Sequence, residues 1–392
     1  MHPRISRHYG LDWLRIAAFA LLILFHIAVY FAPGRWIIKI ADPAEWLVWP
    51  MLALRPWRLP LLFLVAGFAS RALLARSGSP ADFFRSRSWR LLLPLLVAVT
   101  FLIAPQTWVR MVVNHGYGDG FLHFWATDWF SFRTLSGVEL PNTEHLWFLF
   151  HLWEYTLIVA AAALWLPHRA RERACALLDW LSHGSRLLWA PAVAVVGARL
   201  GVLFVIPEAH GLFNDWVGHI SYLPAFLFGF GLAGTGVLWA PIRRLWKPAA
   251  LVAALAYAAM AAVYLAYGGG MPPHLPQALA KGSMVAMGWA AILLLLGAAD
   301  RWLNRDHPVR ARLGEAIFPC YIIHQTIIVM AAFALRGRGL PAAAEFAIVL
   351  TATIGGCWLF YEAGRRIRWL RPFVGLSPEA APGRHRLSRS PA

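Results

Sequence analysis

Ten runs of about 20 predominantly apolar residues follow one another along this 392-residue chain. Each run is long enough to cross a bilayer as a helix, because the hydrocarbon core is about 30 Å thick and a helix rises about 1.5 Å per residue. The sequence therefore predicts an all-α fold, a polytopic integral membrane helix bundle of about ten transmembrane helices. The predicted spans are 11–31, 51–75, 90–106, 145–167, 187–206, 219–240, 248–267, 278–299, 315–335 and 342–364.

The composition supports a membrane protein and excludes a soluble one. Apolar residues make up 59% of the chain and charged residues only 14%, whereas a soluble domain has roughly 25% charged residues. The first run is too long for the apolar core of a signal peptide and is expected to be a retained helix. Three cysteines provide neither a disulfide framework nor a metal-ligand spacing. We expect no metal and no permanently bound cofactor.

The net charge of +17 reflects membrane topology, and no nucleic-acid partner is expected. Basic residues concentrate in every second connection, while the alternate connections 207–218 and 268–276 contain no Lys or Arg. Cytoplasmic connections carry the excess of Lys and Arg, so both termini are predicted to be cytoplasmic. The basic residues concerned are Arg4, Arg7, Arg71, Arg76, Arg85, Arg87, Arg90, Arg169, Arg171, Arg173, Arg186, Arg243, Arg244, Lys247, Arg301, Arg305, Arg310, Arg312 and the arginines of the tail.

Three segments depart from the regular pattern of spans and connections. Residues 8–376 form one predicted transmembrane domain, and the Pro-, Arg- and Ser-rich tail 377–392 is predicted to be disordered in the cytoplasm. The second span contains Pro56 and Pro60 in its first turns, which predicts that these turns are broken. The outer segment 106–144 is long and aromatic, which fits either an interfacial belt or a platform for sugar rings.

Arg15 and His26 lie on one face of the first span. Eleven residues at about 100° each return to within roughly 20° of the starting direction, and the two side chains are about 16 Å apart along the helix. An ionisable residue deep in a membrane is a functional-site hypothesis by default. A neutral imidazole can remove a proton from an acceptor hydroxyl, so His26 is predicted to be catalytic. Asp12, three residues before Arg15, is predicted to assist His26 as a second catalytic residue.

Two further groups of residues suggest binding sites. Arg87 and Arg90 share a helix face, and their guanidinium groups suit a phosphate; ordinary positive-inside anchoring explains them equally well. Glu144, His145 and Trp147 open the fourth span from the outside, where they suit either a hydrophilic acceptor or a helix terminus with an interfacial Trp.

Other ionisable residues lie within or beside the predicted spans. His324 falls near the middle of its span and is an additional candidate for the same intramembrane reason as His26. Arg199 more simply fits a paired structural charge. Arg55 and Arg58 lie in the first turns of the second span.

These motifs together resemble the membrane-bound acyltransferase 3 family over about residues 8–376. Within that family, His145-Leu-Trp-Phe-Leu, Tyr321-Ile-Ile-His-Gln-Thr and Tyr361-Glu-Ala-Gly-Arg-Arg are similar to the glucan biosynthesis protein C branch, which is associated with succinylation of periplasmic glucans. The positions that match the family motifs are Arg15 and His26 in the first span, Arg87 and Arg90 before the third, and Ala66-Gly67-Phe68, with Ala66 where Ser is common.

The resemblance implies a bacterial inner-membrane O-acyltransferase. Acyl-CoA, of which succinyl-CoA is the favoured form, would be the co-substrate bound from the cytoplasm, and an extracytoplasmic glycan would be the acceptor. His26 would act as the base and Arg15, Arg87 and Arg90 would bind CoA. The acceptor would meet Glu144, His145 and Trp147. The succinyl carboxylate would meet Arg55, Arg58 or Arg199.

Two other functions remain open. A transporter or flippase that exports a glycan or its lipid-linked precursor would also need a membrane bundle with buried charges. A structural partner of a glucan-synthesis complex, or a homo-oligomer, is compatible with the same sequence.

Overall fold

The computed structural model describes residues 8–207, 211 and 213–377, which almost fill the predicted domain. The tail predicted to be disordered lies outside these residues from position 378 onward. Regular structure is almost entirely helical, apart from the two-residue antiparallel strands β1 (Thr134–Leu135) and β2 (Val138–Glu139). The helices are α1 Tyr9–Phe31, α2 Val48–Leu74, α3 Pro80–Ala98, α4 Ala104–His115, α5 Phe121–His123, α6 Trp147–Trp165, α7 His168–Ser182, α8 Arg186–Val202, α9 Trp216–Gly234, α10 Trp239–Tyr267, α11 His274–Ala298, α12 Pro308–Leu335 and α13 Ala342–Arg366.

The predicted all-α membrane bundle is confirmed. Among the described residues, nine helices are long and apolar enough to cross a membrane. The pair α7 and α8 meets the same length and hydropathy criterion only together and is bent by 119°, which makes ten spans if the pair counts as one. Helix α7 carries Arg169, Arg171 and Arg173 and is largely exposed. It therefore fits the membrane surface better than the membrane interior.

Helix α2 is continuous through Pro56 and Pro60, so the predicted break in its first turns is wrong. Pro60 cannot donate the hydrogen bond that the Pro56 carbonyl would normally accept. Gly288 of α11 packs directly on that carbonyl, where an added Cβ would come within 2.5 Å of the oxygen. Proline is tolerated in membrane helices where a neighbouring helix covers the released backbone group, and α11 does so here.

The third span is longer than predicted, because a π-helical turn at Val99–Ile103 joins α3 to α4. The outer segment accordingly begins after His115 instead of at Gln106. Trp125 donates to the Thr100 carbonyl at 2.8 Å and Trp129 donates to the Val99 carbonyl at 3.2 Å. These two indoles therefore pack against the π-helical turn, which leaves fewer outer aromatic rings for a sugar platform.

Helices α2 and α9 approach each other closely through small residues. An added Cβ at Gly67 would come within 1.9 Å of the Phe226 carbonyl oxygen, and one at Gly229 would come within 1.9 Å of the Leu64 oxygen. Small residues at such positions allow membrane helices to pack backbone against backbone. The Gly67 of the family-like Ala-Gly-Phe segment is thus explained by packing.

The predicted orientation can be tested with a native cysteine. Cys175 lies exposed on α7, whereas Cys357 is buried and Cys320 partly buried. With cytoplasmic termini, α7 lies on the cytoplasmic side. A membrane-impermeant maleimide should therefore label Cys175 only after spheroplasts are permeabilised. As a control, His115→Cys in a Cys175→Ser background should be labelled in intact spheroplasts. The opposite labelling pattern would reverse the assigned topology.

Candidate active site

Three histidines from distant parts of the chain meet inside the bundle. His26 lies on α1, His324 lies on α12, and His145 lies in the single 3₁₀ turn Glu144–Leu146 before α6. The ring centroids of His26 and His324 are 5.0 Å apart, and those of His145 and His324 are 4.9 Å apart. His324 and His145 are buried, and of the three histidines only His26 is partly exposed.

The hydrogen bonds fix which nitrogen of His26 carries the proton. Nδ1 of His26 lies 3.0 Å from the Leu22 carbonyl oxygen and 3.2 Å from Nε2 of His324. A carbonyl oxygen can only accept, so Nδ1 of the neutral ring must be the donor. The lone pair of a neutral His26 then resides on Nε2, which is the atom that can take a proton from a substrate.

His324 is held in the tautomer that this arrangement needs. Its Nδ1 donates to the Tyr321 carbonyl at 2.7 Å, so its Nε2 is free to accept from His26. His145 donates from Nε2 to the same Tyr321 carbonyl at 3.1 Å. The Tyr321 hydroxyl in turn donates to the His145 carbonyl at 2.5 Å. Tyr321 therefore fixes both supporting histidines.

Arg58 adds a positive charge beside this cluster. Its guanidinium carbon lies 3.6 Å from the centre of the Phe25 ring, and its charge acts on His26 and His324. Arg58 is buried, and its Nε and Nη1 atoms have no hydrogen-bond partner among the described residues. Buried unpaired donors are costly, so this guanidinium is suited to an anionic ligand.

A cavity of about 1280 Å³ extends from Arg58 along the bundle. Its lining follows α9 from Val217 to Thr235, a length of about 27 Å at 1.5 Å per residue. Phe25 and Trp147 also line it. The cavity thus covers most of the thickness of a bilayer and passes beside the residue that precedes His26.

Arg15 and Asp12, which were predicted to belong to the same site as His26, lie far from it along α1. Arg15 faces α12, as the eleven-residue register predicts, and donates to the Gly314 carbonyl at 3.4 Å. Asp12 forms an ion pair with Arg310 at 2.5 Å. Asp12 precedes His26 by fourteen residues, or about 21 Å of helix. The structure therefore does not bring Asp12 to the base that it was predicted to assist.

Arg87 and Arg90 lie on α3 and are close enough to affect each other electrostatically. Arg87 is partly buried, with an Nε atom that has no hydrogen-bond partner among the described residues, and Arg90 is exposed. Neither residue lines the large cavity. Their arrangement is compatible with the predicted anion site. The cavity beside His26 does not connect to it through either side chain.

The three predicted acceptor residues are separated from one another. Glu144 pairs with Arg110 at 2.9 Å, His145 belongs to the histidine cluster, and Trp147 lines the cavity with its ring 5.6 Å from that of Tyr222. The three side chains thus have different neighbours in the structure, and their joint role in acceptor binding stays a prediction. Consecutive positions around the start of α6 point to different parts of the bundle.

The three candidate arginines for the acyl carboxylate all line the cavity. Arg199 is buried and donates to the Val217 carbonyl at 3.3 Å, while Arg55 is exposed. Arg58 is the one that also lies beside His26.

The sequence analysis missed two histidines of the interior, His151 and His219, whereas Glu154 was expected to be a paired structural charge. His151, Glu154 and His219 come together between α6 and α9, with ligand atoms within 4.8 Å of one another. The sequence does contain a signal for them, since His151 follows His145 by six residues within an apolar span and intramembrane ionisable residues are rare.

Comparisons with known proteins agree with the motifs. The acyltransferase 3 family, described as an acyltransferase domain, matches residues 8–362. Curated relatives named glucans biosynthesis protein C, from Salmonella gallinarum (strain 287/91) and Salmonella typhimurium (strain LT2), are each 27% identical over 235 residues. The match covers 57% of this chain and 57% of each relative. No solved structure matches the chain significantly.

Proposed function

The chain belongs to the acyltransferase 3 family and is a multi-pass membrane acyltransferase, and from this premise we propose its substrates and its base. The acyl donor is cytoplasmic acyl-CoA, in the first place succinyl-CoA, and the acceptor is a hydroxyl of an extracytoplasmic glycan such as a periplasmic glucan. The relatives are named for glucan biosynthesis, which supports the class of acceptor. The proposed location is the bacterial inner membrane, because a cytoplasmic donor and a periplasmic acceptor lie on its opposite sides.

The observation that carries this proposal is the orientation of His26. Because Nδ1 donates to Leu22 and His324, Nε2 is available as a general base. The acceptor hydroxyl gives its proton to Nε2 while its oxygen bonds to the thioester carbonyl carbon. The carbon–sulfur bond then breaks, and the departing CoA thiolate takes the proton from the imidazolium. The products are an ester and free CoA.

Arg58 supports a donor that carries a carboxylate. It is buried beside His26 with two donor atoms that have no partner within the described part of the chain, and a guanidinium forms paired hydrogen bonds with a carboxylate. An acetyl group offers no such anion. This is the reason for favouring succinyl-CoA over acetyl-CoA.

Arg87 and Arg90 support binding of the CoA phosphates at the predicted cytoplasmic face, with Arg15 beyond them towards the interior. Two neighbouring guanidiniums without an acidic partner among the described residues favour an anion. Arg171, by contrast, donates to the Ala163 and Leu166 carbonyls and is engaged in holding the end of α6.

Trp147 supports acceptor binding in the cavity, on the side lined by Tyr222. Its ring stacks with that of Tyr222, and aromatic faces suit the apolar faces of sugar rings. The exporter hypothesis explains the cavity as well, but it predicts neither donor binding nor release of CoA. The family match favours the acyltransferase.

Replacing the proposed base should abolish turnover without affecting donor binding. His26→Gln should lower the rate of CoA release by about 10² to 10⁴, because a positioned base typically contributes that factor. The assay measures free CoA thiol with the purified protein, acyl-CoA and a periplasmic glucan, and mass spectrometry of the glucan identifies the acyl group. His123→Gln, on the exposed outer segment, is the control. A His26→Gln variant with more than half the wild-type rate would rule out His26 as the base.

Arg90→Lys should weaken acyl-CoA binding although it keeps the charge, because lysine lacks the guanidinium fork. The measurement is a titration of the purified protein with acyl-CoA. Arg85→Lys is a matched control, since Arg85 lies on the same helix and pairs with Asp82 at 3.4 Å. Equal affinity in wild type and Arg90→Lys would instead assign Arg90 to topology anchoring.

Arg58→Met should shift the donor preference from succinyl-CoA towards acetyl-CoA by about tenfold or more, since a hydrogen bond to a charged group contributes about 1.5–3 kcal/mol. The ratio of kcat/KM for the two donors measures the shift. Arg55→Met, which alters an exposed arginine of the same cavity, should change this ratio less. An unchanged ratio in Arg58→Met would contradict the proposed role of Arg58.

A further inference from the structure

A second cluster of polar groups lies between α6 and α9, away from the histidines of the proposed active site. Nδ1 of His151 is 3.8 Å from Oε2 of Glu154, and Nε2 of His219 is 3.9 Å from the same oxygen. The two imidazole rings are stacked with their centroids 4.5 Å apart. The three potential metal ligands therefore lie close together, with their ligand atoms within 4.8 Å of one another.

His151 points into this cluster without satisfying either ring nitrogen. Its side chain is completely buried, and neither Nδ1 nor Nε2 has a hydrogen-bond partner among the described residues. Oε2 of Glu154 is also buried without a partner. A membrane interior provides no water to compensate such groups, so they point to a ligand held between them.

Each imidazole has an oxygen atom near the ring nitrogen that does not face Glu154. Such an oxygen can orient a histidine that binds a metal. Oδ2 of Asp215 lies 3.6 Å from Nε2 of His151, and the Tyr155 hydroxyl lies 3.1 Å from Nδ1 of His219. Histidines that bind metals usually direct the other ring nitrogen to a carboxylate or another oxygen, which fixes the tautomer. Both histidines here have such an oxygen.

We propose that His151 Nδ1, Glu154 Oε2 and His219 Nε2 bind one divalent transition-metal ion, with Zn²⁺ as the ion that fits best. Two imidazoles and one carboxylate are an established ligand set for Zn²⁺ with an open position. Bonds of about 2.0–2.2 Å in tetrahedral geometry place ligand atoms about 3.4 Å apart. The two distances to Glu154 exceed this value by about 0.5 Å, and the three ligand atoms together lie within 4.8 Å of one another, so metal binding must draw the two imidazoles towards the ion by side-chain rotation.

This proposal differs from the expectation, drawn from the cysteine spacing, that the chain binds no metal. Two of its ligands, His151 and Glu154, lie one turn apart on α6, but the third comes from α9, so no local spacing brings all three together. The main alternative is an ion-pair network in which a protonated His151 lies between Glu154 and Asp215 without any metal. The two possibilities differ in whether the protein binds Zn²⁺.

The test uses the full-length protein without a polyhistidine tag, purified in detergent and treated with a chelator. Titration with ZnCl₂ should show one saturable site, and metal analysis after gel filtration should find about one Zn²⁺ per chain. Co²⁺ in the same site should produce the visible d–d absorption of a low-coordinate centre. None of these measurements depends on acyl transfer, so they do not depend on the proposed function.

Variants locate the site. His219→Ala should lose the bound Zn²⁺ and the Co²⁺ absorption. Asp215→Asn, which can still cap α9 through its side-chain oxygen, should weaken Zn²⁺ binding about 10- to 100-fold. His168→Ala is the matched control, because His168 and Glu172 form an exposed pair 3.4 Å apart; it should bind like wild type.

Thermal unfolding separates loss of the site from loss of the fold. Zn²⁺ should raise the Tm of wild type and of His168→Ala, since a ligand that binds the folded state stabilises it. It should leave the Tm of His219→Ala unchanged. Absence of Zn²⁺ binding by the wild type, or wild-type stoichiometry and affinity in His219→Ala, would overturn the proposal.

Discussion

Helices α1 and α12 are held in register by polar contacts at two levels of the bundle. Asp12 pairs with Arg310 near one end, and His26 meets His324 fourteen residues further along both helices. Equal separations on the two helices mean that they run parallel, and the ion pair therefore sets the height at which the imidazoles meet. Because hydrocarbon cannot replace a lost polar partner, this pairing is strongly specified. A shift of one residue would turn His324 about 100° away from His26.

Buried polar groups that lack hydrogen-bond partners indicate where the protein binds ligands. Most buried polar atoms in a folded protein are hydrogen-bonded, and each exception calls for an explanation. Arg58, Arg87 and His151 are such exceptions among the described residues, and they lie in three different places. Arg58 lies beside the base, Arg87 lies on α3, and His151 lies between α6 and α9. A carboxylate, a phosphate and a cation respectively would satisfy them, which is the physical basis of the three proposed sites.

The sequence predicts features that are determined within a single helix, and it misses contacts that form between two helices. The number of spans and the common face of Arg15 and His26 follow from hydropathy and helical periodicity, and the structure agrees with both. The contact between His26 and His324 bridges 298 residues, and no local pattern could indicate it. Likewise, the predicted break at Pro56 and Pro60 failed because the carbonyl released by Pro60 is covered by α11. The site residues themselves remain predictions until their variants are measured.

The start of α6 connects the proposed active site with the proposed metal site. His145 lies against α12, whereas His151, six residues later, lies about 120° further around the helix and faces α9. Trp147 lies beside His151, with its ring 5.1 Å from the imidazole, and it lines the cavity. A metal shared by α6 and α9 would fix the position of Trp147 without touching the base on α1. Such an ion would therefore act on the placement of the acceptor, while the proton transfer stays with His26 and His324.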